Sequence, residues 1–365
     1  MGRPSRRRVR RVGRHLAFAS LPLALLLGLA EGLARLVPPP LVSPGPMAVL
    51  LSAHPTRIWG LTPGTFHEAG VPVTIGDDGL RQTARSEARQ RVLTLGDSSI
   101  YGYGLTDDQT LHASLGRALT ASGVDADVIC AAVPGYSTEQ TLVLLEELGW
   151  DLAPDVLVVG NLWSDANIDH FQDRTWLEAL AAGPAQVERG LARSAAWRWI
   201  RRWRTPAEAW YLPVGWIRDP MRRGDHRVPV ADYAANLETL IQAGRERGAQ
   251  AILLQPTNRI RMADLVRADP SVHGWAPWFS AQRDVAARLG VPLVDARDVV
   301  QATGLAGDEA FLDDMHPTGA VNAALGARLA QVISERGWLE SGEPRTPGSA
   351  PSAPPDPHST GGSLP

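Results

Sequence analysis

From residue 91 onward, short apolar runs alternate with longer stretches in which apolar residues recur at helical spacing. Val92–Leu95, Val128–Ala132, Val156–Val159, Ala251–Leu254 and Pro292–Val294 read as strands. Gln109–Leu119, Thr138–Leu148, Tyr233–Arg247, Phe279–Leu289 and Ala320–Arg336 read as helices. In the second helix Leu142, Leu145 and Leu148 fall on one face. Strands that are apolar throughout, rather than alternating, must be covered on both faces, which means a parallel sheet between helical layers. The pattern therefore predicts a three-layer α/β/α, doubly wound domain over residues 91–338.

The flanks break this rhythm. Residues 51–90, with a Pro63-Gly64 turn and the alternating run Val71–Ile75, predict a short β-rich lead-in. Residues 38–50 are Pro-rich and read as a linker, and 339–365 are rich in Pro, Ser and Gly and read as a disordered tail. Between the third strand and the third helix, roughly 165–230, lies an insertion too long for an ordinary βα loop. It carries the Trp- and Arg-rich stretch Ala192–Arg204. Trp197 and Arg201, like Trp199 and Trp203, are one helical turn apart. The stretch reads either as a helix packed on the domain or as a lid or interfacial helix.

Charge changes the picture at the N-terminus. The chain of 365 residues has a formal net charge of −3, but all 36 basic residues are Arg and seven of them precede residue 16. The remainder is acidic, roughly −10, which argues against a nucleic-acid partner. The Arg cluster is followed by the uncharged segment Leu16–Ala30 and then by Glu31, Arg35 and Pro38. A basic tip before a short apolar run is a signal or signal-anchor pattern, and the positive-inside rule keeps the tip cytoplasmic and exports the rest. Residues 1–37 are thus expected to comprise the basic cytoplasmic tip and a membrane helix that reaches about the minimum spanning length when it continues to Val37, with Glu31 and Arg35 at the far interface. Ala30 and Ala34 leave cleavage open. Cys130 is the sole cysteine, so no intrachain disulfide is available.

The candidate chemistry sits at predicted strand ends. LGDSS closes the first strand and places Ser98 where doubly wound folds bind ligands, at the start of a helical segment whose dipole favours an oxyanion. FLDDMHPTG offers Asp313 and His316 in a D-x-x-H turn, with His316 218 residues after Ser98 in sequence but at the same sheet edge. A serine hydroxyl needs a base, and the base needs a carboxylate to hold its tautomer. Asp313 is preferred over its neighbour Asp314 on spacing. AAVPGYST supplies Gly135, whose N–H suits an oxyanion donor. VVGNLWSDAN supplies Asn161, Ser164 and Asn167. Histidines are scattered without paired-ligand spacing, so neither metal nor another cofactor is expected.

In this order, over roughly 91–337, these four segments resemble the conserved blocks of the SGNH hydrolases, also called the GDSL family. The resemblance implies a flavodoxin-like five-stranded sheet in the order 2-1-3-4-5, Ser98 as nucleophile, His316 as base, Asp313 as its partner and Gly135 as an oxyanion donor. It implies ester hydrolysis through an acyl-enzyme. Two departures stand out. The family's G-x-N-D block has Ser164-Asp165 in place of Asn-Asp, leaving Ser164, Asn161 or Asn167 to complete the oxyanion hole. Cys130 stands where the family often has Asn. An exported position favours acylated envelope glycans or lipids as substrates. An O-acyltransferase on the same triad and a non-catalytic envelope-binding protein remain the alternatives.

Overall fold

A computed structural model describes residues 22, 25–36, 51–82, 90–169, 172–181, 194–196, 225–267 and 274–340. The Arg-rich tip, the Pro-rich linker, most of the Trp/Arg stretch and the tail from 341 lie outside these.

Five parallel strands form the central sheet: β1 (Gln90–Leu95), β2 (Ala126–Cys130), β3 (Val156–Val159), β4 (Gln250–Gln255) and β5 (Leu293–Asp295). Their order is 2-1-3-4-5, as the resemblance implied. Val92, Leu93, Leu95 and all four residues of β3 are fully buried, so both faces of the sheet are covered. The covering helices are α1 (Leu111–Ala121), α2 (Thr138–Leu144), α3 (Val230–Glu246), α4 (Ala276–Leu289) and α5 (Gly319–Glu335). Helices α1 and α5 pack together as one layer, while α3 packs against both α2 and α4 in the other. Each of these elements falls within a few residues of its predicted span. The exception is α2, which ends at Leu144 and continues as a π-helical turn, Leu145–Gly149.

Local chemistry sets the helix starts nearest the site. Ser137 caps α2 in a reciprocal capping box with Gln140, and Thr110 caps α1 through the Ala113 N–H. In the lead-in, Leu51–His54 pairs antiparallel with Ile58–Leu61, and Gly64–Glu68 with Val71–Ile75. Glu68, at the end of the second hairpin's first strand, is fully buried and accepts from the Gly104 N–H at 3.4 Å. The lead-in thereby reaches the loop that follows Ser98.

Residues 25–36 are helical. Leu25, Leu26, Leu27, Leu29, Leu33 and Leu36 are exposed on this helix. Glu31 accepts hydrogen bonds from the Ser194 hydroxyl at 2.6 Å and from the Ala195 and Ala196 N–H groups at 2.9 and 3.0 Å. Among the described residues no helix is long and apolar enough to cross a membrane, and most of the expected anchor before residue 25 lies outside them.

Candidate active site

Strand β1 ends at Leu95, and Gly96 follows it with φ 158°. A Cβ there would overlap Ile100 and crowd the Gly160 backbone, so the turn requires glycine. Asp97 caps the one-turn helix Ser98–Tyr101 by accepting the Ser99 N–H at 3.0 Å. Burial pushes this carboxyl up to about 6, against the opposing pull of the Ser99 N–H and of His316. Asp97 thus shapes the turn that presents Ser98, the first residue of this helix.

The D-x-x-H turn explains its own spacing. The Leu312 N–H donates to His316 O at 2.9 Å and closes the loop. One oxygen of Asp313 accepts two backbone N–H groups, Met315 at 2.7 Å and His316 at 2.8 Å. The other is left to reach His316 Nδ1 at 2.7 Å. His316 Nε2 lies 2.9 Å from Ser98 Oγ. A carboxylate beside Nδ1 keeps the proton on that nitrogen, so Nε2 is the acceptor for the Ser98 hydroxyl proton. Burial opposes ionisation of Asp313, yet the His316 ring, together with the two backbone donors, outweighs it and holds the carboxyl at about 2. Asp314 offers no such contact to the ring; its carbonyl accepts the Arg259 N–H at 3.1 Å. The loop is braced further by Arg259, which donates to Phe311 O at 3.0 Å.

The remaining candidates divide. Gly135 adopts φ 80°, a left-handed turn that an L side chain strains. Its N–H and that of Ser98 meet no acceptor among the described residues. Ser164 is buried in the short helix Trp163–Ala166, and its N–H faces the Asp97 carboxylate, which brings it beside the Ser98 turn. Its hydroxyl has no partner among the described residues. Asn161 departs from the expectation. Its amide donates to Tyr136 O at 3.2 Å and to Thr141 Oγ1 at 3.0 Å, so both its hydrogens are consumed in bracing the Gly135 turn. Asn167 contributes its carbonyl to the Arg227 N–H at 2.8 Å. Cys130 is fully buried at the end of β2, and burial pushes its thiol up to about 11, which makes it a packing residue rather than a nucleophile.

Several residues at the site carried no sequence signal. The Tyr103 ring lies 4.6 Å from the His316 ring, tilted by 40°, and forms one wall beside it. Arg81 is buried and donates to Tyr101 O, Gly102 O and Leu105 O, tying down the loop that follows Ser98. In the sequence Arg81 looks like any other of the 36 basic residues, and only its burial distinguishes it. No group of acidic, His and Cys side chains able to hold a metal occurs among the described residues.

Similar solved structures include a lipase/acylhydrolase from Enterococcus faecalis, at 19% identity, covering 70% of this chain and 99% of that one, with a TM-score of 0.44. TesA is similar at 17% identity, 67% and 99% coverage and a TM-score of 0.43. A variant of Axe2, an acetyl-xylooligosaccharide esterase from Geobacillus stearmophilus, is similar at 17% identity, 70% and 98% coverage and a TM-score of 0.44. No curated protein matches the chain. The model of the GDSL-like lipase/acylhydrolase family matches residues 94–324, a span that holds both the Ser98 turn and the His316 loop. By that match the chain belongs to the GDSL-like lipase/acylhydrolase family, the SGNH hydrolases, and is an ester-bond hydrolase.

Proposed function

We propose that this protein is a membrane-tethered, extracytoplasmic serine esterase that cleaves carboxylic esters of the cell envelope through an acyl-enzyme. His316 takes the Ser98 proton as Ser98 attacks the ester carbonyl. The N–H groups of Ser98 and Gly135, with the Ser164 hydroxyl as third donor, hold the tetrahedral oxyanion. His316 protonates the departing alcohol, then activates the water that releases the acid, while Asp313 stabilises the imidazolium in both halves. The observation that carries this reading is the unbroken chain Asp313 Oδ2–His316 Nδ1 at 2.7 Å and His316 Nε2–Ser98 Oγ at 2.9 Å.

Tethering is supported by the Arg-rich tip, the uncharged run after it and the exposed leucines of residues 25–36. The hydrogen bonds from Ser194–Ala196 to Glu31 support a Trp/Arg stretch that starts beside the anchor, at the outer membrane interface. Acylated glycans or lipids of the envelope are the substrates that such a position presents.

Full-length protein in detergent or vesicles should hydrolyse a short-chain p-nitrophenyl ester and take up a fluorophosphonate on Ser98. Ser98→Ala should lose both while keeping its melting temperature. Hydrolysis retained by Ser98→Ala would refute the assignment. With a glycan acceptor present, acyl appearing on the sugar instead of as free acid would replace hydrolysis by transfer.

A further inference from the structure

Three consecutive carbonyls of the turn around Gly135 are each held by a side chain from a different part of the chain. The Trp59 indole N–H donates to Pro134 O at 3.1 Å, the Arg227 guanidinium to Gly135 O at 2.8 Å, and the Asn161 amide to Tyr136 O at 3.2 Å. The Tyr136 hydroxyl closes the circuit by donating to Trp59 O at 2.6 Å. A short loop whose carbonyls are all assigned to protein donors has its peptide planes fixed, and the direction of the Gly135 N–H with them.

Arg227 is the centre of this arrangement. It is fully buried, as is its counter-ion Asp173. Its Nε donates to Asp173 Oδ1 at 2.9 Å and its Nη2 to Asp173 Oδ2 at 2.5 Å. Nη2 also donates to Gln140 Oε1 at 2.8 Å, and the guanidinium lies 5.1 Å from the Trp59 ring centroid. Asp173 in turn accepts from the Ser137 hydroxyl at 2.6 Å, so the pair grips the turn at Gly135 and again at the cap of α2. Both charged residues come from the insertion between β3 and α3.

We infer that Arg227, oriented by Asp173, is a positioning residue that aims the Gly135 N–H at the oxyanion of the transition state. A buried ion pair contributes little net stability over apolar packing. A planar fork with its hydrogens committed to three different groups, however, fixes orientation in a way a point charge does not. Oxyanion donors act only when aimed in advance, and small misplacements cost rate more than binding. The insertion thus completes the catalytic centre from behind. This inference rests on the serine esterase reading above.

Arg227→Lys and Trp59→Phe in the full chain test it. Lysine keeps the charge opposite Asp173 but not the fork; phenylalanine keeps a ring under the guanidinium but deletes the bond to Pro134 O. The readouts are kcat and KM on a short-chain p-nitrophenyl ester, the inhibition constant of an alkyl trifluoromethyl ketone, whose Ser98 adduct carries the oxyanion, and the melting temperature. Arg227→Lys should lower kcat by about 10²-fold with KM within about twofold, and the ketone should weaken in step with kcat. Trp59→Phe should act in the same direction by about tenfold. Unchanged ketone inhibition in a folded variant, or equal changes in kcat and KM, would overturn the inference. Should Arg227→Lys not fold, Trp59→Phe decides by the same criteria. A wild-type chain that neither hydrolyses esters nor takes up fluorophosphonate overturns the esterase reading itself, which separates that failure from this one.

Discussion

Asp313→Asn is the sharpest single perturbation of the proposed mechanism. In the wild-type turn, Oδ1 accepts the Met315 and His316 N–H groups and Oδ2 faces the ring at 2.7 Å. Asparagine keeps the first function with its carbonyl oxygen, so the loop retains its shape. It reverses the second, because an amide NH₂ facing Nδ1 requires that nitrogen to be the acceptor. The proton then resides on Nε2, which donates toward Ser98 Oγ across the 2.9 Å contact instead of accepting from it. The same substitution in the serine-protease triad lowers turnover by about 10⁴-fold through the wrong tautomer, equivalent to about 5 kcal/mol of transition-state stabilisation. Here the side chain of Asp313 is 47% exposed, so water can partly replace the lost charge, and the expected loss in kcat is about 10³-fold. Solvent screening keeps the stability change small, below about 1 kcal/mol. The assay is steady-state hydrolysis beside thermal melting, with Asp314→Asn as the control that should stay within about twofold of wild type. An Asp313→Asn enzyme within about tenfold of wild type would show that the carboxylate does not set the tautomer, and the triad assignment would fall.

Two further outcomes follow from the geometry. Ser164→Ala should reduce kcat by about 10²-fold with little change in melting temperature, as for loss of an oxyanion donor, whereas Asn161→Ala should lower stability by about 2 kcal/mol because the buried Tyr136 O loses its partner; kinetics and melting of the pair check this, and the reverse pattern would reassign the third donor to Asn161. Glu68 is pushed up from 4.5 to about 7 by burial, which outweighs Arg81 and the Gly104 N–H. A raised carboxyl contributes stability that is present below pH 4.5 and lost as pH rises through 7, so wild type should melt progressively lower between about pH 5 and 8. Glu68→Gln should flatten that dependence and gain up to roughly 3 kcal/mol at pH 8; parallel melting curves for the two proteins across this range would contradict the buried-carboxyl account.

Much of the architecture was legible because the sheet is doubly covered. Runs such as Val156–Val159 are apolar without alternation, and only a sandwiched parallel strand calls for that. The Ser98 and Asp313/His316 motifs were legible for a related reason: each is a local device whose spacing is set within a few residues, as the Asx-type turn of Asp313 shows. The oxyanion region was harder to read. Asn161 and Ser164 are both polar, three residues apart and in the right block, and only the alignment of Ser164-Asp165 with the family's Asn-Asp favours Ser164.

What separates them is distance in space. Asn161 is consumed by Tyr136 O and Thr141 Oγ1, partners 25 and 20 residues away in sequence, while the Ser164 hydroxyl meets no partner among the described residues. The same holds for Arg227 and Asp173, 54 residues apart in an insertion whose sequence gives no sign of their pairing. The sequence by itself determined strand and helix spans, the family and the three residues of the relay, because periodicity and short motifs are encoded locally. The tertiary structure alone decided that Asn161 braces the Gly135 turn and that Arg227 and Asp173 meet behind it, since burial and hydrogen-bond pairing between distant segments exist only once the chain has closed on itself.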